Sequence, residues 1–159
     1  MAQIGERTAA EELGVLIKQT QAVLNQRMDD ALRPLGLNVP QYACLQALSD
    51  RPGITGSGLA RRAFVSRQSM NVLLQGLEKR DLIERSDESG PRGERATTLT
   101  PAAVALLHSA RAEVAAIAET MTAPLDANGL AQLHTLLTTC RDALLGDRGR
   151  HRDAGVTAS

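Results

Sequence analysis

Apolar side chains recur at helical spacing over two terminal stretches that together exceed what the segment between them could cover. The first carries Leu13, Leu16, Ile17, Leu24, Met28, Ala31 and Leu32 and stops at Pro34, whose ring cannot continue a helical hydrogen-bond ladder. The second carries Val104, Leu107, Ala110, Val114, Ile117 and Met121 up to Pro124, and a further run holds Leu130, Leu133, Leu137, Cys140 and Leu144. Between them lie about 60 residues, a small domain by itself. The surplus stripes either complete a bundle within one chain or pair between two copies. At 159 residues the chain has room for one ordinary domain. With one Phe, one Tyr and no Trp, its core must be aliphatic, which favours packed helices over a sandwich of strands.

Local signals divide the chain further. Thr8-Ala9-Ala10-Glu11 has the form of a capping box, in which hydroxyl and carboxylate satisfy the free amides of a helix start. Asn38-Val39-Pro40-Gln41 repeats that logic for a second helix with Tyr42, Leu45 and Leu48 on its apolar side, stopped by Arg51-Pro52-Gly53. Thr55 caps a third helix, although Gly56 and Gly58 in its first turn each cost up to about 1 kcal/mol relative to Ala. After a turn around Ala63-Phe64-Val65, Ser66 caps a fourth, with Met70, Leu73, Leu74 and Leu77 inward. Leu82–Arg85 and Ala96–Leu99 read as a strand pair around the charged, turn-rich loop Ser86–Arg95. Thr100-Pro101 opens the fifth helix and Asp126 the sixth. From residue 147 to 159 the polar chain reads as a disordered tail.

Zero formal charge would seem to argue against nucleic acid, but the charges are unevenly placed. Residues 51–100 hold nine Lys and Arg against six Asp and Glu, a net +3, leaving −3 for the rest. A basic middle between acidic ends suits local phosphate contact. Helix, helix, turn, helix and hairpin in that order make a winged helix-turn-helix over residues 38–100. The fourth helix turns Arg67, Gln68, Asn71 and Gln75 to one polar face, beside Ser66 and Ser69 at its start. Arg can clasp guanine, and Asn or Gln can pair with adenine in a major groove. Arg92 and Arg95 in the loop are placed to enter a narrow minor groove, whose negative potential favours arginine.

These segments resemble the MarR family of bacterial regulators. The resemblance rests on Val39-Pro40-Gln41-Tyr42-Ala43-Cys44-Leu45-Gln46-Ala47-Leu48, on Gly53-Ile54-Thr55 through Leu59-Ala60-Arg61-Arg62, on Leu77-Glu78-Lys79-Arg80-Asp81-Leu82-Ile83-Glu84-Arg85 and on Leu99-Thr100-Pro101-Ala102. It implies a mainly α fold with a small β-hairpin, a winged helix-turn-helix flanked by dimerisation helices at residues 8–34 and 101–146. It further implies a cytoplasmic homodimer that binds palindromic double-stranded operator DNA, most often as a repressor, and is released by a small aromatic or phenolic effector. Activation, or constitutive binding as an architectural module without a ligand, are the alternatives. The chain departs from the family's pattern in the wing, where Pro91-Arg92-Gly93 stands for an Asp-Arg-Arg triplet. It departs again at Val72, where an arginine is frequent, and at Phe64 and Asp81, where glycines are usual.

Catalytic constellations are not expected. His108, His134 and His151 have no metal-type spacing, so neither metal nor cofactor is called for. Asp29 and Asp30 are neighbours on a helix, point apart and read as a solvated face. Cys44 and Cys140 read as buried free thiols of a reducing compartment. No apolar run approaches a membrane span.

Overall fold

The computed structural model describes residues 5–63 and 65–154, with the side chains of Arg92 and of residues 148–154 outside that description. Six helices and one hairpin follow in order: α1 (Ala9–Leu32), α2 (Val39–Asp50), α3 (Gly56–Ala63), α4 (Arg67–Lys79), β1 (Ile83–Arg85), β2 (Thr97–Leu99), α5 (Pro101–Thr122) and α6 (Ala127–Ala154). The chain divides into two compact units, Met1–Ile117 and Ala118–Ser159.

In the first unit the helix starts read from sequence are built as expected. Thr8 Oγ1 accepts from the Glu11 amide at 3.2 Å while the Glu11 carboxylate accepts from the Thr8 amide at 2.7 Å. The backbone hydrogen bond from Thr8 holds the Glu11 carboxyl below its ordinary range, so this cap weakens as pH falls through that lowered value. Asn38 and Gln41 close the same box on α2. A 3-10 turn at Arg33–Leu35 carries the chain past Pro34.

Asp29 corrects the sequence reading. Its carboxylate accepts from the Val39 amide at 2.9 Å, so α1 helps to cap α2 from ten residues away.

The core is aliphatic: Leu32, Leu45, Leu48, Leu59, Leu74 and Leu77 are all but inaccessible. Only the end of α1 enters it, through Leu32. On α5 the buried residues are Ala103, Leu107 and Ala110, whereas Val104, expected on that stripe, is 56% exposed. Leu107 and Ala110 keep their expected places; only at the start of the stripe does Ala103, one residue earlier, take the position expected of Val104.

The hairpin is antiparallel, with Ile83 opposite Leu99 and Arg85 opposite Thr97. It gains a third short partner that the sequence did not announce. The amide of Gly53 donates to the Thr97 carbonyl at 3.0 Å and that of Thr97 to the Ile54 carbonyl at 3.2 Å. The segment between α2 and α3 thereby ties the wing to the helices. Gly53, at φ +81°, makes the turn that permits this.

In the second unit Asp126 caps α6, accepting from the Gly129 amide at 2.7 Å. The helix then continues to Ala154, past the point where a disordered tail was expected from residue 147. No proline interrupts it. Cys140, expected to be buried, is exposed. No described residue of α6 is buried in the single chain, so its leucine stripe is left exposed.

Asp81, directly after α4, has φ +54°, the left-handed region where glycine is at ease and other residues cost of order 1–3 kcal/mol. Asp81→Gly should therefore raise stability by about 1 kcal/mol, read as a higher urea midpoint at equal protein concentration. An unchanged or lowered midpoint would mean that the aspartate relieves its own strain.

Candidate nucleic-acid interface

α4 is fastened at its start and along one side, which dictates what its other side offers. Ser66 Oγ accepts from the Ser69 amide at 3.0 Å and donates to Ser69 Oγ at 2.9 Å, so the Ser66 hydroxyl is spent on the cap. Met70, Leu74 and Leu77 are buried. At 100° per residue the direction opposite them falls among Gln68, Val72 and Gln75, with Arg67 and Asn71 turned toward the wing. All five are exposed, as are Ser66 and Ser69.

The flank of α4 beside the wing is organised by charge. The Arg67 guanidinium lies 3.5 Å from the Glu94 carboxylate, and its side chain is 76% exposed. Arg85, only 14% exposed, directs both terminal nitrogens to Asn71 Oδ1 at 3.4 and 3.5 Å and sets Nε 3.9 Å from the Glu78 carboxylate. With its oxygen so engaged, Asn71 keeps its amide nitrogen, a donor, for another partner.

Arg95, expected to enter a minor groove, has contacts of its own within the wing. Its Nε donates to the Ser86 carbonyl at 2.5 Å and Nη2 to the Arg85 carbonyl at 3.3 Å, with Asp87 3.6 Å away. It braces the wing across its base. Gly93, at φ +72°, closes the tip around the 3-10 turn Pro91–Gly93. The Arg92 side chain and Phe64 lie outside the described residues.

Between α3, α4 and the wing is a cleft of about 260 Å³ bordered by Ser57, Arg67, Asn71, Arg85, Arg95 and Thr97. Two buried polar atoms there, Arg85 Nε and Thr97 Oγ1, have no hydrogen-bond partner. The sequence reading missed Arg85 and Glu94. Strand alternation held the signal for the first: Arg85 shares the inward face of Ile83, so its charge must meet something beneath the sheet.

A MarR-family sequence profile matches residues 35–96, from the turn after α1 to the residue before β2. The HTH-type transcriptional repressor Rv2887 of Mycobacterium tuberculosis is 38% identical over 104 residues, covering 65% of this chain and 75% of that protein. The chain belongs to the MarR family of transcriptional regulators. Two solved structures of the same mycobacterial protein superpose on it, each with 34% identity over 80% of this chain. The complex with DNA matches with a TM-score of 0.65 over 96% of that chain, and the complex with salicylic acid with 0.64 over 95%. The winged helix-turn-helix and its flanking helices are thus those of the MarR fold. Among the described residues no His, Cys, Asp or Glu cluster could hold a metal, and no helix is long and apolar enough to cross a membrane.

Cys44 lies in α2 behind this site. Burial pushes its thiol up to about 12, only partly opposed by the charge of Arg85. Iodoacetamide at pH 8 should leave Cys44 unmodified in the folded protein and label it as urea opens the fold. Labelling at the rate of a free thiol without denaturant would contradict the burial.

Proposed function

We propose that the chain is a homodimeric repressor that reads a palindromic operator through α4 and lets go when a small aromatic acid binds. The observation that carries this reading is the exposed row of Arg67, Gln68, Asn71 and Gln75 on a helix whose opposite side is buried. A ligand-free protein has no internal use for such a row, whereas a major groove does. The solved mycobacterial relative in complex with DNA supports it.

Arg67 is held meanwhile by Glu94. An exposed ion pair contributes roughly 0–1 kcal/mol, less than the ~1–3 kcal/mol of a bidentate guanine contact, so DNA wins the guanidinium. Arg95 serves by keeping the wing in shape, and Arg92 is assigned the minor groove. Arg67→Ala should cost about 1–3 kcal/mol of affinity for the preferred operator and flatten the preference at one base pair, measured by fluorescence anisotropy across single-base variants. Equal binding by variant and wild type to every operator would refute the assignment of α4.

Exposed leucines on the terminal helices support the dimer. Leu13 and Leu16 on α1, and Leu130, Leu133, Leu137 and Leu144 on α6, are each 41–74% exposed, an apolar surface that a second copy would cover. Leu133→Glu with Leu137→Glu should bring the mass in sedimentation from twice 16.9 kDa down to that value. Operator binding should fall with it, since one reading helix cannot span two half-sites. A wild-type protein that sediments as a monomer would end the dimer reading.

For the effector, the solved relative bound to salicylic acid supports an aromatic carboxylate, and the cleft beside Arg85 offers such an anion a counter-charge. Release by salicylate, with a rise in melting temperature, is the expected outcome. DNA binding indifferent to salicylate and related acids would favour a constitutive regulator.

A further inference from the structure

Val72 is the apolar exception in the polar row of α4. The residue is 65% exposed, so its hydrocarbon surface is open to a partner outside the chain. Gln68 lies one turn before it and Gln75 one turn after, so it occupies the middle of the outward face. Hydrogen-bonding side chains on both sides exclude a purely greasy partner.

Beside Val72 the helix surface is also unusually low. Gly76 follows one turn later, and a Cβ there would meet nothing within 4 Å. Nothing inside the chain therefore asks for glycine, although glycine within a helix costs about 1 kcal/mol relative to alanine. A partner outside the chain that approaches closely at this point accounts for both residues.

Resting on the reading of α4 as the major-groove helix, we infer that Val72 is a specificity-determining residue that packs on the 5-methyl group of a thymine in each half-site. The thymine methyl is the one apolar group a base edge presents in the major groove. Valine offers it two methyl groups, and the space above Gly76 lets the base pair sit close. Gln68, Gln75 and the amide nitrogen of Asn71 would then address the polar atoms around that methyl.

The test uses the full-length protein and a duplex selected by it from a random library. Thymines are replaced with deoxyuridine one position at a time, symmetrically in both half-sites, which deletes only the methyl group. One position should weaken wild-type binding about fourfold per half-site, about fifteenfold for the duplex, the worth of burying one methyl group twice. Val72→Ala should bind the thymine duplex and its deoxyuridine counterpart alike. Alanine is the better helix former, so the loss would not reflect a damaged fold, and an unchanged melting temperature checks this.

Sequence-specific binding with no deoxyuridine effect at any position would overturn the inference and leave the reading of α4 intact. An effect that persists undiminished in Val72→Ala would assign the methyl contact to another residue and overturn it too. Failure to select any preferred sequence would remove the reading of α4 and this inference together.

Discussion

Burial of one side of α4 is the constraint from which the rest of the structure follows. Met70, Leu74 and Leu77 are 0–3% exposed among leucines from α2, α3 and α5. Each such side chain contributes about 1.5–3 kcal/mol through its removal from water, more than any surface ion pair of this chain could supply. Rotation of α4 about its axis would exchange those residues for Gln68, Asn71 and Gln75 and bury unpaired amides. The polar face is therefore held outward by what lies beneath it.

The wing is held to that helix by backbone and charge together. Pairing of Gly53 and Ile54 with Thr97 joins the hairpin to the start of α3, while Arg85 reaches from β1 to Asn71 and Glu78 on α4. Thr100 completes the arrangement, its hydroxyl donating to the strained Asp81 carbonyl at 2.7 Å and accepting from the Ala103 amide at the head of α5. One residue thus binds the segment that follows α4 to the start of α5.

Most helix starts were legible in the chain because their determinants are local. Thr8, Asn38, Thr55, Ser66, Thr100 and Asp126 each satisfy an amide within three residues, so neighbours in sequence suffice to recognise them. Less legible were contacts that span elements. Asp29 caps a helix ten residues away, Arg95 folds back on the wing, and Arg85 meets Asn71 across fourteen positions; nothing near them in the chain records the partner.

By itself the sequence determined the order of helices and hairpin, the polar row of α4 and the surplus of leucine at both ends. Those properties follow from periodicity and capping, which act over one or two turns. Tertiary structure alone decided that Arg95 braces the wing, that Asn71 engages its oxygen with Arg85 and that Ala103 replaces Val104 in the core. The physical reason is that side-chain roles depend on which groups compete for the same donors and the same space. That competition is settled only when distant segments are packed together.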